Sequence, residues 1–470
     1  MKQDPLAFRE AGHKAMADPN LKLALGRIKS HFQLGRSYAR ANYPDFESLR
    51  DHGAAIRDYA LANLDTLLAT FETSVTARGG HVHWARDAKE ARRIVLDILN
   101  ETGAKTVTKG KSMVTEEIAL NPFLVENGLT PIETDLGEYI IQLRDEPPSH
   151  IIAPAFHLNK EDVAETFRAA HTSLDPARNI AERTALVNEA RVMLRRAFEG
   201  ADAGITGANF LAAQEGAAII VTNEGNGDLT RLLPRTHIVV TGIEKVVPDL
   251  GDVSALLRLL TRSATGQPIT SYVSVMAGPR GPDEADGPEN FHVVLVDNGR
   301  SRLIGTDAEE TLRCIRCSAC LNHCPIYAAI GGHAYGATYP GPIGAALNPN
   351  LLGLAQAHHH PNASTFCGRC AEVCPVKIPL PRIMRYWRAR EFAAGLAPAS
   401  ARFGLGLWAF AAKRPALYRF GARLAAQLLK AVAGRRGAVK ALPLMDGWFA
   451  VRDFPAPQGR TFQDMWAKKR

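Results

Sequence analysis

All seven cysteines of the 470-residue chain fall between positions 314 and 374. The first run reads Cys314-Ile-Arg-Cys317-Ser-Ala-Cys320-Leu-Asn-His-Cys324-Pro325, and the second reads Cys367-Gly-Arg-Cys370-Ala-Glu-Val-Cys374-Pro375. The first has the C-x2-C-x2-C-x3-C-P spacing of bacterial ferredoxins; the second has its last three cysteines. Thiolates two residues apart on a tight loop turn toward one iron-sulfur cluster, whereas the cysteine before proline is carried to the other. This spacing assigns Cys314, Cys317, Cys320 and Cys374 to a first cluster and Cys324, Cys367 and Cys370 to a second. Zinc also takes C-x2-C pairs, but two interleaved runs, each closed by proline, fit it poorly.

The second cluster is one protein thiolate short. Stepping back from Cys367 by the same interval reaches Ser364, a hydroxyl in register with the missing ligand. The first cluster is expected to be [4Fe-4S]. For the second, three forms stay open: a [4Fe-4S] centre completed by Ser364, water, another side chain or a partner; a [3Fe-4S] centre; or interconversion between them. The [4Fe-4S] form with one labile iron is expected. A hydroxyl is a harder and less acidic ligand than a thiol. The competing role for Ser364 is local, its oxygen accepting a backbone N–H to cap the loop.

Two polar stretches are candidates for a small-ligand pocket. Lys109-Gly110-Lys111-Ser112 precedes a predicted helix, where free N–H groups favour an anion, with Lys109, Lys111 and Ser112 as candidate side chains. The segment 222–228 follows a predicted strand, the usual place for site residues in an α/β fold, and offers Asn223, Glu224 and Asn226. Neither is a nucleotide fingerprint: KGKS lacks the P-loop frame and GNG lacks the G-x-G-x-x-G spacing. His358, His359 and His360 form a triplet on a connector expected to be exposed, where such tracts more often bind nothing.

The elements that must position these groups alternate. Residues 1–75 are predicted helical, with apolar residues at three- and four-residue intervals from Leu49 to Phe71 and Asp45 as amino-terminal cap. A strand is predicted at 81–85 and a helix from 87 that Gly103 ends. The strand 105–110, the helix 112–120 and the strand 130–135 continue the alternation, followed by 136–143, 149–156 and helices at 159–172 and 179–200. Further strands are predicted at 216–223, 236–248, 271–278 and 290–299, with a helix at 251–264 and an exposed acidic loop at 278–290. This is an α/β domain with a mainly parallel sheet. The expected divisions are a helical segment 1–75, the α/β domain 76–303, the cluster module 304–390 and an extension 391–470.

Hydrophobic residues make up 46% and charged residues 22%, as in ordinary globular proteins. Thiolates that hold iron call for a reducing compartment, and no spare cysteine is left for a disulfide framework. The opening stretch lacks the apolar segment of a secretory signal, and no apolar run approaches a membrane span, so a cytoplasmic protein is expected. The net charge of +8 is concentrated at one end: residues 376–470 hold 19 Lys and Arg against 4 Asp and Glu, leaving the rest net acidic. The basic helical tail has three readings besides a solvated face: docking of a redox partner, peripheral membrane contact, or nucleic-acid contact. Docking is favoured over nucleic acid, because complementary charge speeds encounter between redox partners.

ETDLGEYIIQL (133–143), the segment 204–248, both cysteine runs and FAVRDFPAPQGRTFQDMW (449–466) together resemble the lactate-utilisation protein B family, in the same order along nearly the whole chain. The resemblance implies a LUD domain, related in fold to CoA transferases and formyltetrahydrofolate cyclo-ligase, followed by an α-helical ferredoxin module. It also implies two [4Fe-4S] clusters and a role as electron carrier in oxidising L-lactate to pyruvate. The implied partners are a cysteine-rich redox subunit, a second LUD-domain protein and an unnamed electron acceptor. A rival function is a ligand-binding or acyl-transfer enzyme centred on the α/β domain, with structural or redox-sensing clusters.

Overall fold

The computed structural model describes residues 4–443, 449 and 452–468; Ala450 and Val451, inside the carboxyl-terminal stretch quoted above, lie outside them. The chain forms two compact units, Met1–Arg390 and Glu391–Arg470.

The first unit is built on a six-stranded parallel sheet. Its strands are β1 (His81–Ala85), β2 (Thr106–Lys109), β3 (Thr130–Glu133), β4 (Ala203–Thr206), β7 (Thr236–Gly242) and β10 (Asn290–Val296), in the order β1-β10-β7-β4-β2-β3. Helices cover both faces, so the inner strands are buried on both sides rather than on one; every residue of β7 is buried, its Thr and His included. A second, four-stranded sheet joins β5 (Phe210–Ala212), β6 (Ala217–Thr222), β8 (Val246–Val247) and β9 (Tyr272–Met276) in the order β8-β5-β6-β9, with β6 antiparallel to both neighbours.

Most predicted elements are present, and the departures have local causes. Strands β4 and β5 escaped prediction because AGIT and FLA are only four and three residues long, too short to show a period, and carry Gly and Ala. Gly204 in β4 is required by packing: a Cβ there would overlap the carbonyl oxygen of Thr230, in the helix Asn226–Leu232. Residues 136–143 form a helix capped by Asp135, whereas 149–156 adopts no regular element. Asp45 occupies the cap position of the helix Phe46–Ala62, but its side chain makes no capping hydrogen bond.

The amino-terminal helices belong to the same unit as the cysteine runs. Leu25, Ile28, Phe46, Leu49 and Ile56 share one core with Leu256 and Leu259 of the helix Leu250–Ala264 and with Ile315, Leu321, Tyr327 and Val376 of the cysteine module. Full burial of each such side chain contributes about 1.5–3 kcal/mol, so helices that look peripheral in sequence stabilise the module 300 residues downstream.

The second unit contains the helices Ala399–Ala412 and Pro415–Ala433 and a small antiparallel pair, Ala438–Val439 with Phe454–Pro455. Its helices expose Phe403, Trp408 and Phe420 beside their basic residues. Among the described residues, no helix is long and apolar enough to cross a membrane.

Candidate iron-sulfur centres and an adjoining cavity

The two runs fold into equivalent loops. In the first, Arg316 and Ser318, on either side of Cys317, are left-handed with φ of 61° each; in the second, Phe366 at 53° and Gly368 at 82° flank Cys367 in the same way. These turns bring the next cysteine back onto the same side of the loop. A short helix follows each, Ala319–Asn322 and Arg369–Glu372, and positions Cys320 and Cys370.

The thiols gather in two groups that cross between the runs. One buried cavity is lined by Cys314, Cys317, Cys320 and Cys374, and a second by Cys324, Cys367, Cys370 and Ser364. None of the seven is in a disulfide. In the first group Cys317, Cys320 and Cys374 are pushed up by burial, and neighbouring thiols add to the shift, Cys374 reaching about 11. In the second, burial and Cys324 raise Cys370 to about 12. Thiols so placed repel one another as thiolates unless a cation lies between them, and a metal deprotonates a coordinating thiol outright. The donor set therefore fits iron-sulfur clusters, which Cys314, Cys317, Cys320 and Cys374 would hold on one side and Cys324, Cys367 and Cys370 on the other.

Ser364 stands in its expected register. The amide of Phe366 donates to Ser364 Oγ at 3.1 Å, just as the amide of Arg316 donates to Cys314 Sγ at 3.4 Å. The local cap and the ligand position are thus one geometry, since the equivalent cysteine makes the same bond. The groups differ in depth: the first is surrounded by core, whereas Cys367 of the second is exposed and Ser364 half-buried.

Four arginines surround the first group. Arg36 donates to the Val373 carbonyl at 2.9 Å, and Arg50 donates to the Cys374 carbonyl at 3.1 and 2.7 Å and to that of Glu372 at 2.8 Å. Arg57, 1% exposed, donates to the carbonyls of Glu244, Val246 and Leu312. Burial lowers the pKa of Arg36 and of Arg57, the latter to about 10, and at Arg57 the Glu244 carboxylate opposes the shift. Arg316 lies over the Tyr339 ring at 4.7 Å and donates to Glu244 at 3.2 Å. Glu244 and Glu117 together hold the fully buried Arg300, at 2.6 and 2.8 Å. Despite burial, Arg300 and Arg316 keep the Glu244 carboxyl at about 2. Such a cationic lining favours the negative charge of a thiolate-ligated cluster.

A cavity of about 550 Å³ opens outside the carboxyl ends of β2, β3 and β4, the usual ligand position in parallel α/β sheets. Lys111, Ser112, Asn223, Glu224 and Asn226 of the predicted pocket all line it, and Asp135 joins them. Lys109 does not: it is 1% exposed and its ammonium is held behind the wall by Glu133 at 2.6 Å and Glu116 at 3.0 Å. Ser112 is occupied as a helix cap, accepting from Thr115 at 3.3 Å, and Lys111 pairs with Glu138 at 3.2 Å. Lys245, 5% exposed, was not anticipated; burial and Arg316 pull its pKa to about 7. The histidine triplet corrects its expectation too: His360 is fully buried between Asn348 and the Tyr335 carbonyl.

Comparison with known proteins agrees with this geometry. Family models match as a LUD domain over residues 68–296, a 4Fe-4S dicluster domain over 310–378 and the carboxyl-terminal domain of lactate utilisation protein B over 388–470. Lactate utilization protein B of Bacillus velezensis is 42% identical over 474 residues, covering 100% of this chain and 98% of that protein. The chain belongs to the lactate utilisation protein B family. The Bacillus subtilis member is 40% identical over 98% of this chain and 96% of its own. A DUF162 family protein of Deinococcus radiodurans of solved structure is 14% identical and aligns with a TM-score of 0.28, covering 50% of this chain and 98% of that one. In family terms, the sheets and the cavity are the LUD domain and the two thiol groups are the dicluster domain.

The arginines escaped sequence reading because Arg36, Arg50 and Arg57 lie on amphipathic helices where a basic residue ordinarily faces water. The one available signal was their spacing: Arg50 and Arg57 fall on the apolar stripe of Leu49, Gly53, Ile56 and Ala60.

Proposed function

We propose that this chain is the iron-sulfur electron-transfer subunit of a complex that oxidises L-lactate to pyruvate. The observation that carries the reading is the gathering of seven thiols into two crossed groups, one deep and one reaching the surface. Loss of two electrons and two protons converts the hydroxyl of lactate to the carbonyl of pyruvate. A bound [4Fe-4S] cluster accepts and releases such electrons singly. Cys314, Cys317, Cys320 and Cys374 are the ligands of the first cluster. Cys324, Cys367 and Cys370 hold the second, a [4Fe-4S] centre whose remaining iron faces Ser364.

Arg36 and Arg50 hold the loop around Cys374 by its carbonyls, and with Arg57 and Arg316 they supply a positive field that favours the reduced state. The exposed position of Cys367 suits exchange with a partner, since electron carriers must approach closely. The partners in this reading are a cysteine-rich redox subunit, a second LUD-domain protein and a further acceptor, met through the basic extension in the cytoplasm. Reductive titration of the anaerobically purified chain with its partners tests the proposal. Lactate-dependent reduction of both clusters is expected, and failure of lactate to reduce either would overturn it.

A further inference from the structure

We propose that the cavity at the carboxyl ends of the LUD strands binds an organic carboxylate through Lys245, and that its occupancy is linked to the redox state of the first cluster. The linkage rests on the function proposed above; the binding does not.

The buried ammonium carries the first half. Lys245 lines the cavity yet is 5% exposed, and among the described residues it has no hydrogen bond and no ion pair within 4.0 Å. The other buried lysine at this end of the sheet, Lys109, has two carboxylates on it, and Lys111 has one. A buried cation without a partner is costly, and an anion in the cavity would remove that cost. Arg316 lines the same space, so two basic side chains face the ligand, one of them from the cluster side.

Shape and walls define the ligand further. At about 550 Å³ the cavity is in the range of sites that enclose drug-sized molecules. Ile140, Ile151, Ile152, Phe156, Val221 and Leu260 supply apolar surface. A three-carbon acid would leave most of this surface uncovered. The site fits a carboxylate that carries an apolar body.

Shared walls carry the second half. Ile151 and Arg316 line both this cavity and the one formed by Cys314, Cys317, Cys320 and Cys374. An anion on one side of Arg316 and an added electron on the other compete for the same positive field. By reciprocity, the carboxylate binds the oxidised protein more tightly, and its binding lowers the potential of the first cluster.

The test uses the anaerobic full-length protein with phenylpyruvate, pyruvate and inorganic phosphate as probes in calorimetry. Phenylpyruvate is expected to bind more tightly than pyruvate, with Lys245→Met weakening it at least tenfold and Lys245→Arg staying within threefold. Equal affinity in the wild type and a folded Lys245→Met protein, or no binding of either acid to the wild type, would overturn the site. Phosphate binding as tightly as phenylpyruvate would overturn the carboxylate assignment. If Lys245→Met does not fold, the Lys245→Arg protein still decides, because its failure to bind contradicts a site that needs only a cation. For the linkage, saturating phenylpyruvate should lower the first cluster's potential and leave the second unchanged; a tenfold preference for the oxidised form equals about 59 mV. Binding without a shift would overturn the linkage alone. Binding to a chain whose clusters lactate does not reduce would leave the site standing and remove the electron-transfer reading.

Discussion

Arg50→Ala should unfold the first cluster's platform and leave the second cluster in place. The guanidinium, nearly buried, makes three bonds to the carbonyls of Glu372 and Cys374 from a helix more than 300 residues away, and one ion pair with Glu47 at 2.6 Å. Truncation removes a donor from two carbonyls; that of Cys374 keeps the Lys377 amide at 3.2 Å and loses about 1 kcal/mol, while that of Glu372 is left without one at about 1–3 kcal/mol. Glu47 is half exposed, so the ion pair contributes only about 0–1 kcal/mol. The expected loss for Arg50→Ala is therefore about 3 kcal/mol, against less than about 1 for Glu47→Ala. Anaerobic urea denaturation followed by far-ultraviolet dichroism measures both, and EPR reports which cluster is lost. Because Cys374 is a proposed ligand of the first cluster, its signal should be depleted before that of the second. Equal destabilisation by the two substitutions would refute the reasoning, since it would assign the energy to the ion pair rather than to the carbonyls. So would an Arg50→Ala protein within about 0.5 kcal/mol of the wild type.

Ligand crossing predicts that Cys374→Ala damages the first cluster and Cys324→Ala the second, read by EPR and iron content; loss of each mutant's own-run cluster would contradict it. Ser364→Cys should make the second cluster more resistant to oxidative iron loss and lower its potential, because a thiolate adds negative charge; unchanged spectra and oxygen sensitivity would exclude Ser364 from the open iron. His237 is held neutral, its pKa lowered to about 3 by burial and then by Arg231 and His292, while the unfolded chain binds that proton below about 6.5. Its contribution is present above pH 6.5 and lost as pH falls toward 3, so about 1.3 kcal/mol should disappear between pH 7 and 5.5. The stability difference between wild type and His237→Asn should shrink by that amount in urea titrations at the two pH values. If the basic extension docks an acidic partner, assembly should weaken steeply with salt, since exposed charges are screened beyond about 8 Å at physiological ionic strength. Salt-independent sedimentation of the complex would point to an apolar contact.

What the sequence determined by itself was local: ligand chemistry and element type. The cysteine intervals carry the grouping because thiols two and three residues apart have few ways to share a metal, and Ser364 announces itself by its interval alone. A run rich in β-branched residues such as THIVVTG identifies a buried parallel strand, while the shorter AGIT does not, because its burial depends on a helix approaching Gly204 that no local pattern encodes.

Only the tertiary structure decided which charges matter. Lys109 and Lys111 read alike in sequence, yet Lys109 ends β2 buried between two glutamates, whereas Lys111, in the loop just beyond the strand, lines the cavity. Lys245, Arg57 and Arg316 come from three distant segments, and their shared surroundings arise from long-range packing of helices, sheet corner and cysteine loop. A charge's effect depends on burial and on neighbours within a few ångströms, and those neighbours are set by chain crossings rather than by sequence distance.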